Sequence, residues 1–221
     1  MKATYKRKWY VALMIIIIIT FNSLSYAMAP SNNSEKEALK LMIDSTATPK
    51  VNEHDKFISG EHSDIKELIW KYSELNKLDP KYILGICLIE TGGTLDPNMV
   101  GPKTYSGRAQ GVMQLMPVLI KIYEVKNPLD PDESIKTGTE HLKYLINLYK
   151  DRKIYDENEN LLKTEYIAAI AYNLGQTAID NMIKNYNCII IEKLPYETRR
   201  YFRIIRAYRE DDMTLFKKLM N

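Results

Sequence analysis

The sequence predicts an all-α protein. Apolar residues recur at helical spacing along most of the chain, capping residues precede those stretches, and Gly closes several of them. No alternating Val/Ile/Thr runs bounded by hairpin turns accompany them. With 221 residues, 45% hydrophobic and 27% charged, the chain is too apolar for disorder and long enough to bury a core. No heptad is sustained and no repeat is found, so the expectation is a multi-helix globule rather than a coiled coil.

In chain order, Met1 to Lys8 is basic, Val11 to Ile19 is an unbroken apolar run, and Ala27-Met28-Ala29 offers small residues at a cleavage site. That layout predicts a secretory signal over 1–29, with an uncleaved membrane anchor as the alternative, and places the rest outside the cytoplasm, in the periplasm, cell wall or extracellular space. No Cys follows the apolar run, which excludes a lipoprotein anchor there. Residues 30–62 are polar and read as an N-terminal arm or linker, with a short helix near Glu35 to Ile43. The folded domain is expected over 63–221.

Ser63 or Asp64 can cap a helix carrying Ile65, Leu68, Ile69, Tyr72 and Leu75. Asp79-Pro80 opens a helix from Lys81 to about Thr91, stopped by Gly92-Gly93. A loop to Gln110 follows, then a helix near Met116-Pro117 and a longer one from Asp132 or Ser134 to Tyr149. Residues 150–162 are charged and polar, a surface excursion. Thr164 to Leu174, Thr198 to Arg209 and Met213 to Leu219 are the remaining helices, and Ile189-Ile190-Ile191 is short enough to be a strand.

Composition excludes several function classes. The net charge is +3, but Lys2, Lys6, Arg7 and Lys8 face no acid in residues 1–29, and the remainder carries −1. Bulk electrostatics therefore gives no support for nucleic-acid binding. Two Cys exclude a disulfide scaffold and a four-Cys zinc site, and His54, His62 and His141 match no H-E-x-x-H spacing. No metal or cofactor is expected. Cys87 and Cys188 are either a disulfide, permitted by export, or two free thiols. Asn32-Asn33-Ser34 is a glycosylation sequon by pattern only.

Glu90 is the residue out of place. Ile83, Ile86, Cys87 and Glu90 fall on one stripe of an otherwise apolar helix. Burial and the negative end of the helix dipole both push a carboxyl pKa up, and a carboxylic acid protonated near neutrality is what a general acid requires. The alternative is a helix-end Glu reaching solvent or a basic partner.

Four blocks in order sharpen this reading: Glu90-Thr91-Gly92, Gly111-Val112-Met113-Gln114-Leu115-Met116-Pro117, Ala171-Tyr172-Asn173-Leu174-Gly175, and Leu194-Pro195-Tyr196-Glu197-Thr198-Arg199-Arg200-Tyr201. Asn127-Pro128 through Asp130-Pro131 and Ile135 to Gly138 add a linking segment. Over roughly 63–213 the chain resembles the soluble lytic transglycosylase (SLT) family of glycoside hydrolase family 23. The resemblance implies a lysozyme-like helical fold. It also implies cleavage of the β-1,4 bond between N-acetylmuramic acid and N-acetylglucosamine in peptidoglycan, with a 1,6-anhydromuramyl product. It puts the single catalytic acid at Glu90.

Carried over block by block, the resemblance makes Thr91, Met113, Gln114, Tyr172, Asn173 and Glu197 substrate-binding candidates. Thr91 stands where the family has Ser; its hydroxyl bonds either substrate or a backbone carbonyl. Gln114 offers a donor and an acceptor to sugar groups, and Met113 a floor for the sugar site. Tyr172 either orients Glu90 or presents its ring to a sugar. Asn173 has helix capping as its alternative, and Glu197 dipole complementarity. Val112 and Leu174 depart from the family's Leu and Ala, and Tyr201 is expected to be structural. Arg199, Arg200, Arg203 and Arg206 are either a solvated face or a contact for acidic stem peptides.

Two other functions compete. A water-using muramidase, like goose-type lysozyme, needs a second carboxylate, for which Asp96 is the candidate. A non-catalytic wall-binding module would keep the fold alone. Small members of the family often serve an envelope-spanning secretion, conjugation or pilus machine, and nothing in the residues selects among these.

Overall fold

Asp79-Pro80 sets the helix that carries Glu90. In the computed structural model, which describes residues 53–220, the Asp79 carboxylate accepts the Lys81 N–H at 2.8 Å and Pro80 occupies the first helical position. Helix α3, Pro80–Glu90, buries Tyr82, Ile83, Gly85, Ile86 and Cys87. It stops where Gly92 (φ 60°) and Gly93 (φ 92°) adopt left-handed geometry, with the Gly93 N–H donating to the Leu88 carbonyl at 2.6 Å.

Two helices precede it, α1 (Glu53–Ile58) and α2 (Ser63–Asn76). α1 lies in the stretch expected to be an arm: His54 and Phe57 set their rings 5.1 and 5.3 Å from that of Trp70. Neither Ser63 nor Asp64 caps α2. The helix begins at Ser63 behind a left-handed His62 (φ 58°), with no side-chain cap bond.

After α3 come α4 (Pro117–Ile122), α5 (Pro131–Tyr149), α6 (Thr164–Leu174), α7 (Gln176–Tyr186), α8 (Tyr196–Arg209) and α9 (Met213–Met220). α5 is capped by Asp130, which accepts the Asp132 N–H at 3.0 Å, rather than by Asp132 or Ser134. Pro131 at the first helical position decides this. Helix α7 was not anticipated, although Ile179, Met182 and Ile183 share one face. Ile189-Ile190-Ile191 makes no strand: Ile189 forms one isolated bridge to Asp156, and Ile191 opens a single 3-10 turn.

The packing order places the site. α3 lies against both α2 and α8, α5 against α2 and α6, and α8 against α3, α6 and α9. Gly85 lets α8 approach: a Cβ there would sit 2.6 Å from the Tyr208 ring. The core they enclose includes Ile69, Ile83, Ile86, Leu142, Leu145, Ile167 and Ile205, all fully buried.

Both cysteines are free, Cys87 buried and Cys188 partly exposed, so the disulfide alternative falls. Among the described residues no helix is long and apolar enough to cross a membrane, and no group of His, Cys, Asp and Glu is arranged to hold a metal ion. The predicted signal, the sequon and the Glu35 to Ile43 helix lie outside the described residues.

Candidate active site

Glu90 is the last residue of α3 and half-buried. Burial pushes its carboxyl up to about 7, with the Tyr201 hydroxyl drawing it partly back down. Among the described residues no other carboxylate contributes to this shift. The position explains the direction: the carboxyl has left water at the helix end where backbone carbonyls disfavour an anion.

Two tyrosines flank it. Tyr201, from α8, is 4% exposed, and its hydroxyl has no well-formed hydrogen bond among the described residues. Burial raises its pKa well above the ordinary value, and the Glu90 charge adds to this. Tyr172, from α6, feels Glu90 in the same way. Its hydroxyl, however, donates to the Met113 carbonyl at 2.7 Å. The ring of Tyr172 lies 5.8 Å from that of His141. Burial keeps His141 below its usual pKa, so it is neutral around pH 7.

Thr91 turns inward. It is fully buried, its hydroxyl donating to the Cys87 carbonyl at 2.7 Å and accepting the Leu95 N–H at 2.9 Å. The backbone alternative is therefore the one realised, and Thr91 fixes the loop beside Glu90 rather than offering a hydroxyl to substrate.

The 99–115 segment forms the adjoining wall. Gln110 and Leu115 exchange backbone hydrogen bonds at 3.1 and 2.8 Å, and the Gly111 N–H donates to the Met99 carbonyl at 2.9 Å. Gly111 has φ 80°, and a Cβ there would collide with the Pro128 carbonyl. Gln114 holds the left-handed φ of 44°, unusual for a residue with a side chain. Its carboxamide nitrogen donates to the Met99 and Gly111 carbonyls at 3.0 and 2.9 Å. The donor expected to reach sugars thus clamps its own loop, and the strained backbone is held by those bonds.

Met113 is not a floor for a sugar site. Its side chain is fully buried over Gly138, and its N–H donates to Ser134 Oγ at 3.2 Å. Asn173 is exposed and its carboxamide oxygen accepts the Thr198 hydroxyl at 2.8 Å, joining the end of α6 to the first turn of α8. Glu197 is exposed in that same first turn. Asp96 is exposed, and its carboxylate accepts the Asn98 N–H at 2.9 Å.

The fold thus brings Glu90, Tyr172 and Tyr201 together, while Thr91, Gln114 and Met113 support them. Tyr201 was expected to be structural only. Its place in the Pro195 to Tyr201 block was the available signal.

Residues 67–193, more than half of the chain, match the family model described as the transglycosylase SLT domain. The chain belongs to this family. The matched range includes Glu90 through Asn173 and ends before Glu197 and Tyr201. A transglycosylase of Enterobacteria phage PRD1 is 35% identical over 86 residues, covering 38% of this chain and 30% of the phage protein. Among solved structures, the 70-kDa soluble lytic transglycosylase of Escherichia coli aligns at a TM-score of 0.47 and 23% identity, covering 70% of this chain and 25% of that one. The lytic transglycosylase Slt of Pseudomonas aeruginosa aligns at 0.48 and 19% identity, covering 79% and 27%. The chain therefore spans less than a third of the length of each of these relatives.

Proposed function

We propose that the protein is a peptidoglycan lytic transglycosylase with Glu90 as acid and then base. The observation that carries this reading is one half-buried carboxyl at the end of α3, flanked by Tyr172 and Tyr201 and raised to about 7, with no second carboxylate among the described residues acting on it. At neutral pH such a group holds its proton much of the time and can both give and recover it.

In the proposed reaction Glu90 protonates the glycosidic oxygen as the bond from the muramyl C1 breaks. The substrate's own N-acetyl carbonyl stabilises the electron-poor C1, so the protein needs no nucleophile. The C6 hydroxyl then attacks C1 and Glu90 takes its proton. The ring closes as the 1,6-anhydro form, no water is consumed, and Glu90 ends as it began. Tyr201 acts as a positioning residue, its hydroxyl aimed at the carboxylate formed between the two steps. Tyr172 and Gln114 hold the Met113 to Gln114 wall, and Asn173 with Thr198 fixes the start of α8. Glu197 is retained as a substrate contact because it is exposed at that junction.

The water-using alternative has less support, since Asp96 is exposed and engaged with its own turn. The signal layout of residues 1–29 supports action in the periplasm or cell wall.

The test is mass spectrometry of muropeptides from purified peptidoglycan, with wild type and Glu90→Gln in parallel. Products one water lighter than hydrolytic fragments, absent with the variant, are expected. Reducing-end muramic acid, or unchanged cleavage by Glu90→Gln, would overturn the mechanism.

A further inference from the structure

The 97–123 segment has a side that the chemistry above does not use. Between Asp96 and Glu124 it contains no acid, and its three cations, Lys103, Arg108 and Lys121, are all exposed. None of the three forms an ion pair among the described residues. The segment also turns apolar groups outward. α4 packs Leu119 and Ile120 against the core, while Val118 and Ile122, four residues apart, are 59% and 66% exposed. Ahead of α4, Tyr105 stands fully exposed.

These groups sit on a built projection. Thr104 and Gly107 exchange backbone hydrogen bonds at 2.9 and 3.2 Å, which closes a tight turn over Tyr105-Ser106. The Thr104 hydroxyl adds a bond to the Gly107 carbonyl at 2.7 Å. Below the turn, the Gly101 N–H donates to the Ala109 carbonyl at 2.9 Å, and the Arg108 guanidinium donates to the Gly101 carbonyl at 3.1 Å. The turn rests on the first residue of α4, since a Cβ on Gly107 would lie 2.6 Å from the Pro117 ring. Tyr105 is thus held at a tip beside α4 rather than in a cleft.

A projecting tip encloses no small ligand and offers a glycan no groove. It fits a broad surface that carries negative charge and accepts apolar groups at its edge. A bilayer with anionic headgroups has both properties. Tyr rings settle at the headgroup level, apolar side chains enter just below it, and Lys and Arg stay with the phosphates.

We propose that the Tyr105 turn and the outer face of α4 dock on an anionic phospholipid surface. Tyr105, Val118 and Ile122 enter the headgroup layer, and Lys103, Arg108 and Lys121 meet lipid phosphates. The docking itself does not depend on the peptidoglycan reading above; its consequence does. The turn and the Gln114 wall belong to one segment, so docking keeps the Glu90 site near the bilayer and favours strands that lie against it.

Amide hydrogen exchange of the full chain, read by mass spectrometry, reports on this surface separately from the N-terminal segment. With phosphatidylcholine–phosphatidylglycerol vesicles, exchange over 102–108 and 117–122 is expected to slow; with pure phosphatidylcholine it should not. In cosedimentation, Lys103→Gln/Lys121→Gln should bind the anionic vesicles roughly twentyfold more weakly than wild type, at about fivefold per cation, and added salt should erase the difference. Tyr105→Ser/Ile122→Ser, which keeps the cations, should also weaken binding. All four positions are exposed, so both variants should melt with wild type. Vesicle binding with unchanged exchange over 102–108 and 117–122, equal binding by the double Gln variant, or protection there by muropeptides and not by vesicles would overturn the proposal. Docking by a wild type that cleaves no peptidoglycan would leave it standing and overturn the catalytic reading.

Discussion

Replacing Glu90 by Gln should stabilise the fold while abolishing the chemistry, and the gain should depend on pH. The carboxyl rises from an ordinary 4.5 to about 7 in the folded chain. Below pH 4.5 the group is protonated in both folded and unfolded states, and its burial as a neutral acid is fully tolerated. As pH climbs from there to about 7, the unfolded chain releases the proton while the folded one retains it, so stability falls. Above about 7 the loss is complete. A shift of this size corresponds to about 3 kcal/mol as an upper bound, since Glu90 keeps some access to solvent. Gln has the same shape, no charge, and an oxygen that can accept from Tyr201. The melting temperature of Glu90→Gln should therefore match wild type near pH 4 and exceed it by roughly 6–12 °C at pH 8, the range expected of about 3 kcal/mol in a domain of this size. Thermal denaturation followed by circular dichroism across pH 4 to 9 measures this. A difference that stays constant with pH, or a variant less stable at pH 8, would refute the buried-acid account of Glu90.

Three further outcomes follow from the same contacts. Tyr201→Phe removes the hydroxyl that holds the Glu90 carboxyl down; the high-pH limb of kcat should move up by about one pH unit, read from a pH-rate profile, while a purely structural Tyr201 would lower kcat without moving the limb. Thr91→Val leaves the Leu95 N–H without its buried acceptor and should cost about 1–3 kcal/mol in urea unfolding, whereas Thr91→Ser should lose far less. Gly138→Ala would set a Cβ 2.5 Å from the Met113 sulfur, forcing the wall of the site to move. A cost of about 1–3 kcal/mol is expected together with a raised KM, and unchanged KM would detach Met113 from the site.

The helices were legible where local chemistry specifies them. Asp79-Pro80 and Gly92-Gly93 bound α3 within a residue of its observed ends, because capping and positive φ are properties of a few adjacent residues. The start of α2 was legible within a residue or two, but its cap was not, since His62 supplies a backbone turn without a side-chain cap. Helix α7 escaped notice because its apolar face is short and flanked by polar residues, and packing on α6 makes it a helix.

For the site, the sequence by itself determined the odd carboxyl: an apolar helix that ends in Glu90 predicts a raised pKa from burial and the dipole, both local facts. Order along the chain also identified the blocks that surround it. What each block does was decided only by tertiary structure. Thr91, Met113 and Gln114 carry polar or soft side chains suited to a ligand, yet they turn to the Cys87 carbonyl, the core over Gly138 and the Met99 carbonyl. A side chain's chemistry limits the bonds it can make, but the partner is whichever group the fold brings within 3 Å, and buried donors must be satisfied before any ligand arrives. Tyr201 is the converse case. Its hydroxyl is left without a well-formed bond beside Glu90, a position that depends on how closely α8 approaches α3 across Gly85.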